Sequence, residues 1–326
     1  MNIERGFLFM RSALTAPVAV FVYSRFDKAR ECLSALEKCK LANESDIHIF
    51  ADGYKGDKDR EKVTSVQEWV KRYAVDCKAF KSVNVHIKEH NVGLAKSIIS
   101  GATELINKSG KVIVVEDDLL VSRGFLAYMN GALDFYEKDE NIWEIASYGY
   151  NLKALRKYPH DLYLSYRSSS WGWATWKDRW DSVDWEIKDY DKLLASKELQ
   201  KRFCRGGGDL FPMLQSQMNG EIDSWAIRWN YAGSKRDALT VYPKYGLVRN
   251  YGFDGSGIHT GDRGKQAKFF ENVNDNFSEV KFEEVVLDPK ITREFYLLHT
   301  DTFFKKVKRN LSVKDIVKLI KRAFGT

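Results

Sequence analysis

Between residues 18 and 148 the chain alternates short apolar runs with stretches of helical spacing. This alternation narrows the fold more than any other feature. Val18–Tyr23 is a continuous apolar run after Pro17 and suits a strand buried on both faces. Asp27–Lys40 places Ala29, Cys32, Leu33 and Leu36 on one helical face. Asp46–Ala51 reads as a second strand, Asp57–Ala74 as a charged amphipathic helix and Val83–Lys88 as a third strand. Leu94–Asn107 is helical, Lys111–Val115 is a strand, Phe125–Glu137 is helical and Trp143–Tyr148 returns to strand. Strand and helix in turn specify a mostly parallel sheet with helices on both faces. In such sheets ligands bind beyond the carboxyl ends of the strands. That rule singles out Ser24-Arg25, Asp52-Gly53, His90-Asn91 and Glu116-Asp117-Asp118.

The second half has a different texture. Seven of the nine tryptophans lie between Trp171 and Trp229. Trp171-Gly172-Trp173-Ala174-Thr175-Trp176 fits neither a simple buried helix nor a clean alternating strand. Indole has a broad apolar face and one polar handle, which suits a rigid ligand wall. Gly206-Gly207-Gly208 lacks the Gly-Lys-Ser/Thr that completes a phosphate loop and reads as a plain turn. The net charge of +7 comes wholly from residues 290–326, where ten Lys and Arg face three acids. The remaining body is formally neutral, so a nucleic-acid partner is not expected. The tail reads as basic amphipathic helix, suited to an anionic membrane surface. No apolar run reaches the ~20 residues of a membrane span. The four cysteines have no metal-ligand spacing. A cytoplasmic location is therefore expected, with the tail peripheral on the inner face of the membrane.

Lys111-Val112-Ile113-Val114-Val115-Glu116-Asp117-Asp118 carries the strongest chemical signal. Three acids at the end of a buried strand repel one another and lose solvation, which favours a bound cation. Hard divalent metals prefer carboxylate oxygen and often bridge phosphates. His259 follows the glycine-rich turn Gly252 to Gly257. Such a turn lets backbone approach a diphosphate, and the imidazole suits a metal or a phosphate. Asp223 precedes a tryptophan-bearing helical pattern. It fits two jobs there, proton acceptor or helix N-cap, and Trp225 and Trp229 are expected to take it partly out of water. Trp171, Trp173 and Trp225 are candidates for a ligand wall, which the resemblance described next would make a sugar wall.

Four segments together carry a family resemblance. They are Glu116-Asp117-Asp118; Ser168-Ser169-Ser170-Trp171-Gly172-Trp173; Glu221-Ile222-Asp223-Ser224-Trp225-Ala226-Ile227-Arg228-Trp229; and Asn250-Tyr251-Gly252-Phe253-Asp254-Gly255-Ser256-Gly257-Ile258-His259. In this order they resemble the GT-A glycosyltransferases. In particular they resemble bacterial sugar transferases related to the N-acetylglucosaminyltransferase that starts complex N-glycan branching. The resemblance covers about residues 17–262. It implies a Rossmann-like sheet with a donor half at about 17–150 and an acceptor half at about 151–262. A connection at 263–289 and the basic tail at 290–326 would follow.

The resemblance also implies roles. Asp118 would ligate Mn²⁺ or Mg²⁺ with His259. Asp117 would lie near the ribose or metal, and Glu116 near the donor sugar. Arg25, Asp52 and Lys96, the last in the loop and helix start Asn91-Val92-Gly93-Leu94-Ala95-Lys96, would bind the UDP-sugar donor. Asp223 would be the base of an inverting transfer to a glycan or lipid-linked acceptor, with Glu221 as its substitute. The transferred sugar would be N-acetylglucosamine or a related hexose. Two other readings stay open at this stage: a non-catalytic module that binds nucleotide-sugar or glycan, and a membrane-surface scaffold acting through the tail. A nucleotidyltransferase would also use strand-end acids and a metal, but would release pyrophosphate.

Overall fold

Strand Val18–Val22 (β1) is buried along its whole length, and its side chains divide between two cores. Val18, Val20 and Val22 face one layer, Ala19 and Phe21 the other. A computed structural model describes residues 15–252 and 280–300. Helix Phe26–Glu37 (α1) buries Ala29, Cys32, Leu33 and Leu36, the face its spacing predicts. The chain then forms strand Asp46–Ala51 (β2), helix Asp57–Asp76 (α2), strand Ser82–Ile87 (β3) and helix Leu94–Ser109 (α3). Strands Lys111–Glu116 (β4) and Leu119–Val121 (β5), helix Phe125–Tyr136 (α4) and strand Ile142–Ala146 (β6) follow.

The later elements are shorter. They are strands Leu162–Ser165 (β7) and Trp173–Trp176 (β8), helices Lys177–Asp181 (α5), Tyr190–Ala195 (α6), Lys197–Phe203 (α7), Leu210–Met218 (α8) and Trp225–Ser234 (α9), and strands Leu239–Pro243 (β9) and Val248–Asn250 (β10). Helix Pro289–Leu298 (α10) closes the described chain. Eight strands form one sheet in the order β3-β2-β1-β4-β8-β6-β9-β7. The pairs β3/β2, β2/β1, β1/β4 and β6/β9 are parallel; β8 and β7 run antiparallel to their neighbours. A mixed α/β fold with a mostly parallel central sheet is thus established. From β1 the chain winds outward through β2 to β3, then returns to β4 on the other side of β1. That reversal is the switch point at which open α/β sheets bind ligands.

The tryptophan-rich segment is mainly core. Trp143, Trp173, Trp180, Trp225 and Trp229 are buried in one cluster with Ala95, Ile98 and Ala102 of α3. Trp173 stacks on Trp225 with ring centres 4.7 Å apart. The expectation that Trp173 and Trp225 wall a sugar is therefore corrected: both indoles face other side chains, not open space.

The start of the basic tail also packs on the body. Ile291 and Phe295 of α10 are buried, and Glu294 accepts hydrogen bonds from the backbone of Lys153 and Ala154 at 2.7 and 2.8 Å. The triple-glycine turn receives the end of this helix. The Gly208 N–H donates to Thr300 Oγ1 at 2.9 Å, and the Asp209 N–H to the His299 carbonyl at 3.3 Å. The rest of the tail, like His259, lies outside the described residues. Among the described residues no helix is long and apolar enough to cross a membrane.

Candidate active site at the switch point

Parallel pairing brings the exits of β2, β1 and β4 side by side, and each exit carries a charged residue the sequence singled out. The Asp117 N–H donates to the Phe21 carbonyl at 3.0 Å, so the acid triplet is held against β1. Arg25, at the entry to α1, reaches across this seam. Its guanidinium donates to Asp117 Oδ1 and, at 3.0 Å, to Asp118 Oδ2. A rigid fork of this kind suits paired carboxylates and also suits a phosphate.

One arginine does not balance three acids. Burial, and then the Asp118 and Asp117 charges, push the Glu116 carboxyl up to about 8 against the pull of Arg25. Burial likewise raises Asp117 to about 6, with Arg25 opposing and Asp118 adding to the rise. Asp117 Oδ2 is buried with no hydrogen-bond partner among the described residues. A buried carboxylate oxygen without a donor is costly. Crowded acids and an orphaned oxygen fit a divalent cation or its hydrated form. The described residues do not complete a cation cage by themselves.

Strands β5 and β10 pair antiparallel and deliver residues 250–252 to the triplet. The Tyr251 N–H donates to the Asp118 carbonyl at 2.8 Å, and the Gly252 N–H to Asn250 Oδ1 at 2.7 Å. A Cβ on Gly252 would lie 2.2 Å from Asp118 Oδ2, so any other residue there would push the carboxylate aside.

Asp52, after β2, is a loop organiser in this structure. Its carboxylate accepts from Asn91 Nδ2 at 3.1 Å and from the backbone N–H groups of Val92 and Gly93 at about 3.1 Å. Those bonds set the entry to α3, where Lys96 is exposed in the first turn. They also set Gly93 beside Asp223: a Cβ there would lie 3.7 Å from Asp223 Oδ2. The 91–93 loop and Asp223 therefore meet.

Asp223 itself differs from expectation in two ways. Ser224, not Asp223, caps α9, its Oγ accepting from the Ile227 N–H at 3.3 Å. Asp223 is also 58% exposed, because Trp225 and Trp229 turn into the core and leave it in water. Arg228 holds it by an ion pair of 2.9 Å. Glu221 is exposed and bonded to Ser216 and Asn219.

Of the three proposed sugar-wall tryptophans, Trp171 is half-buried where Trp173 and Trp225 are buried. It packs edge-on against Tyr148, with ring centres 4.7 Å apart. Its loop is fixed by two residues that the sequence reading missed. Ser147 Oγ donates to the Gly172 carbonyl at 2.8 Å. Buried Glu144 accepts from the Ser169 N–H at 2.6 Å and from Trp229 Nε1 at 2.7 Å. A lone acid inside the apolar run Ile142-Trp143-Glu144-Ile145-Ala146 is the signal that would have found it.

Comparison with known proteins agrees with the motif resemblance. The chain is 29% identical over 100 residues to the alpha-1,3-mannosyl-glycoprotein 2-beta-N-acetylglucosaminyltransferase of Arabidopsis thaliana. This relative is a glycosyltransferase. The match takes in 29% of the chain and 22% of that protein, so the chain spans about a fifth of its relative's length. No protein-family profile matches.

Partial structural likenesses accompany it. One is to the mannosyltransferase PcManGT of Pyrobaculum calidifontis, in complex with GDP-Man and Mn²⁺. Its TM-score is 0.38 at 12% identity, over 50% of this chain and 45% of that one. The glycosyltransferase GlyE of Streptococcus pneumoniae has a TM-score of 0.35 at 10% identity, over 69% and 44%. TarS of S. aureus has a TM-score of 0.29 at 18% identity, over 37% and 19%.

Proposed function

We propose that the chain is a GT-A-type glycosyltransferase that moves a sugar from a UDP-sugar to a glycan or lipid-linked acceptor, with inversion. N-acetylglucosamine or a related hexose is the proposed sugar. The observation that carries this reading is the Arg25 fork on Asp117 and Asp118 at the switch point. It joins a phosphate-binding guanidinium to crowded acids at the edge where such sheets take nucleotides. The local likeness to an N-acetylglucosaminyltransferase supports the same reading.

A divalent cation, Mn²⁺ or Mg²⁺, held by Asp118 with Asp117 beside it and His259 as a further ligand, would supply positive charge for the leaving diphosphate. Arg25, whose guanidinium lies beside these acids, would bind the phosphates. Asp52 holds the 91–93 loop that brings Lys96 to the donor side, and Glu116 lies toward the sugar. The Asp223 carboxylate, oriented by Arg228, takes the proton of the acceptor hydroxyl as its oxygen attacks the anomeric carbon. UDP leaves from the opposite face, so the configuration inverts. The half-buried Trp171 would form part of the sugar wall.

Asp223→Asn tests the assignment. Donor binding, read as a thermal shift with UDP-sugar and Mn²⁺, should persist. Turnover, read as UDP release in the presence of acceptor, should fall by about 10²- to 10⁴-fold. Unchanged turnover would remove Asp223 from the mechanism. Donor binding without turnover in the wild type would select the binding-module reading instead.

A further inference from the structure

A groove of about 510 Å³ opens between α1 and the β5/β10 strand pair, and the proposed transfer makes no use of it. Among the described residues Arg30, Lys38, Arg123 and Arg249 line it, with Glu31 the one acid in that lining. The chain up to residue 289 carries no net formal charge, so this is a local excess. Arg30 shares its charge with exposed Asp27 at 3.1 Å. Lys38 and Arg123 are exposed, and neither has a carboxylate within ion-pair range among the described residues. Beneath the cations the groove is apolar, with buried Val121, Leu247 and Val248 in its lining.

The walls are fixed to one another. The Lys40 N–H donates to the Arg123 carbonyl at 2.8 Å, and Cys39 Sγ to the Ser122 carbonyl at 3.3 Å. The Ser122 N–H donates to the Leu247 carbonyl at 2.8 Å. The end of α1, the turn after β5 and the start of β10 are thus stitched by hydrogen bonds. A groove held in this way needs little ordering to accept a ligand. It also adjoins the acid triplet, because Val121 is three residues along β5 from Asp118, or ~10 Å of strand.

We propose that this groove binds a phosphoester carried on an amphipathic ligand. The cations would take the charged head and the buried aliphatic residues the apolar portion. Solvated cations such as Lys38 and Arg123 do not by themselves call for an apolar floor, and an apolar ligand does not call for a cationic rim.

Farnesyl diphosphate is the probe, titrated calorimetrically into the full-length chain in chelator with no sugar nucleotide present. Binding should weaken at least ~10-fold in the Lys38→Glu/Arg123→Glu double variant, a change of ~1.4 kcal/mol. Both side chains are exposed, and a thermal melt confirms that the variant folds. Inorganic pyrophosphate should bind more weakly than farnesyl diphosphate. Equal affinity in wild type and variant would overturn the proposal. Equal affinity of pyrophosphate and farnesyl diphosphate would overturn its amphipathic part.

Sedimentation with phosphatidylglycerol vesicles, set against phosphatidylcholine vesicles, identifies the source. Wild type pelleting only with the anionic vesicles, and the variant with neither, assigns a lipid headgroup. Binding of the soluble probe without pelleting assigns a discrete ligand. Neither Lys38 nor Arg123 belongs to the proposed transfer machinery. Failure here would therefore leave the sugar-transfer reading standing.

Discussion

Gly252 is placed against Asp118 so closely that a single methyl group would reach within 2.2 Å of the carboxylate. Backbone bonds fix both partners, so the acid would have to move. Misplacing a reacting group by an ångström costs about 10²-fold in rate. Gly252→Ala should accordingly lower turnover by roughly that factor with little change in melting temperature, measured by UDP release and a thermal melt. Glu144 makes a prediction about stability. Burial raises its carboxyl from the ordinary 4.5 to about 8. The folded state then holds the proton more tightly than the unfolded chain. Its contribution is fully present below pH 4.5 and is lost as pH rises toward 8. The unfolding free energy should therefore fall across that window, with a slope approaching ~1.4 kcal/mol per pH unit, and the melting temperature should fall with it. Glu144→Gln should flatten the slope. It should also cost about 1–3 kcal/mol at acid pH, because its amide nitrogen cannot accept from Ser169 or Trp229.

At the scale of elements, helix α10 is anchored by buried Ile291 and Phe295 and by Asp288, whose side chain accepts from the Lys290 and Ile291 N–H groups at 2.7 and 3.0 Å. Phe295→Ala should destabilise the fold by about 3–5 kcal/mol in denaturant melts. A helix held only by a membrane surface would show almost no change. Most first-half elements were legible in the sequence because β1, β4 and β6 are largely apolar runs, β2 and β3 carry Val and Ile at alternate positions, and each long helix has one apolar face; the three-residue β5 was not. β2 begins and ends where its residues predict, at Asp46 and Ala51. Helices α5 to α8 were not legible. They run five to nine residues; α6 to α8 are ordered by a small core around Leu193, Phe203 and Leu214 and α5 by Trp180 in the tryptophan cluster, not by periodicity. β8 was hidden for a related reason. Trp173 and Trp176 are both buried, one in each layer, so no polar alternation marks the strand.

Across the whole molecule, Arg25, Asp52 and the acid triplet, chosen from sequence for donor chemistry, lie at one edge of the sheet. Arg25, Asp52 and the acids leave neighbouring parallel strands, and the loop that Asp52 holds reaches Asp223. The acids, and Arg25 at the strand exit, were legible because position after a buried strand is itself a sequence property. The burial of Trp173 and Trp225 and the capping role of Ser224 were not, since they depend on how α9 rolls against α3. A donor that binds this edge stabilises the fold by mass action, about 2.7 kcal/mol at a hundredfold excess over Kd. The most direct test of the central claim is UDP release from a panel of UDP-sugars, with Mn²⁺ and with chelator, in wild type and Asp118→Ala. The account predicts slow release from one donor that requires metal and is lost in the variant. Release that persists in chelator and in Asp118→Ala would contradict it.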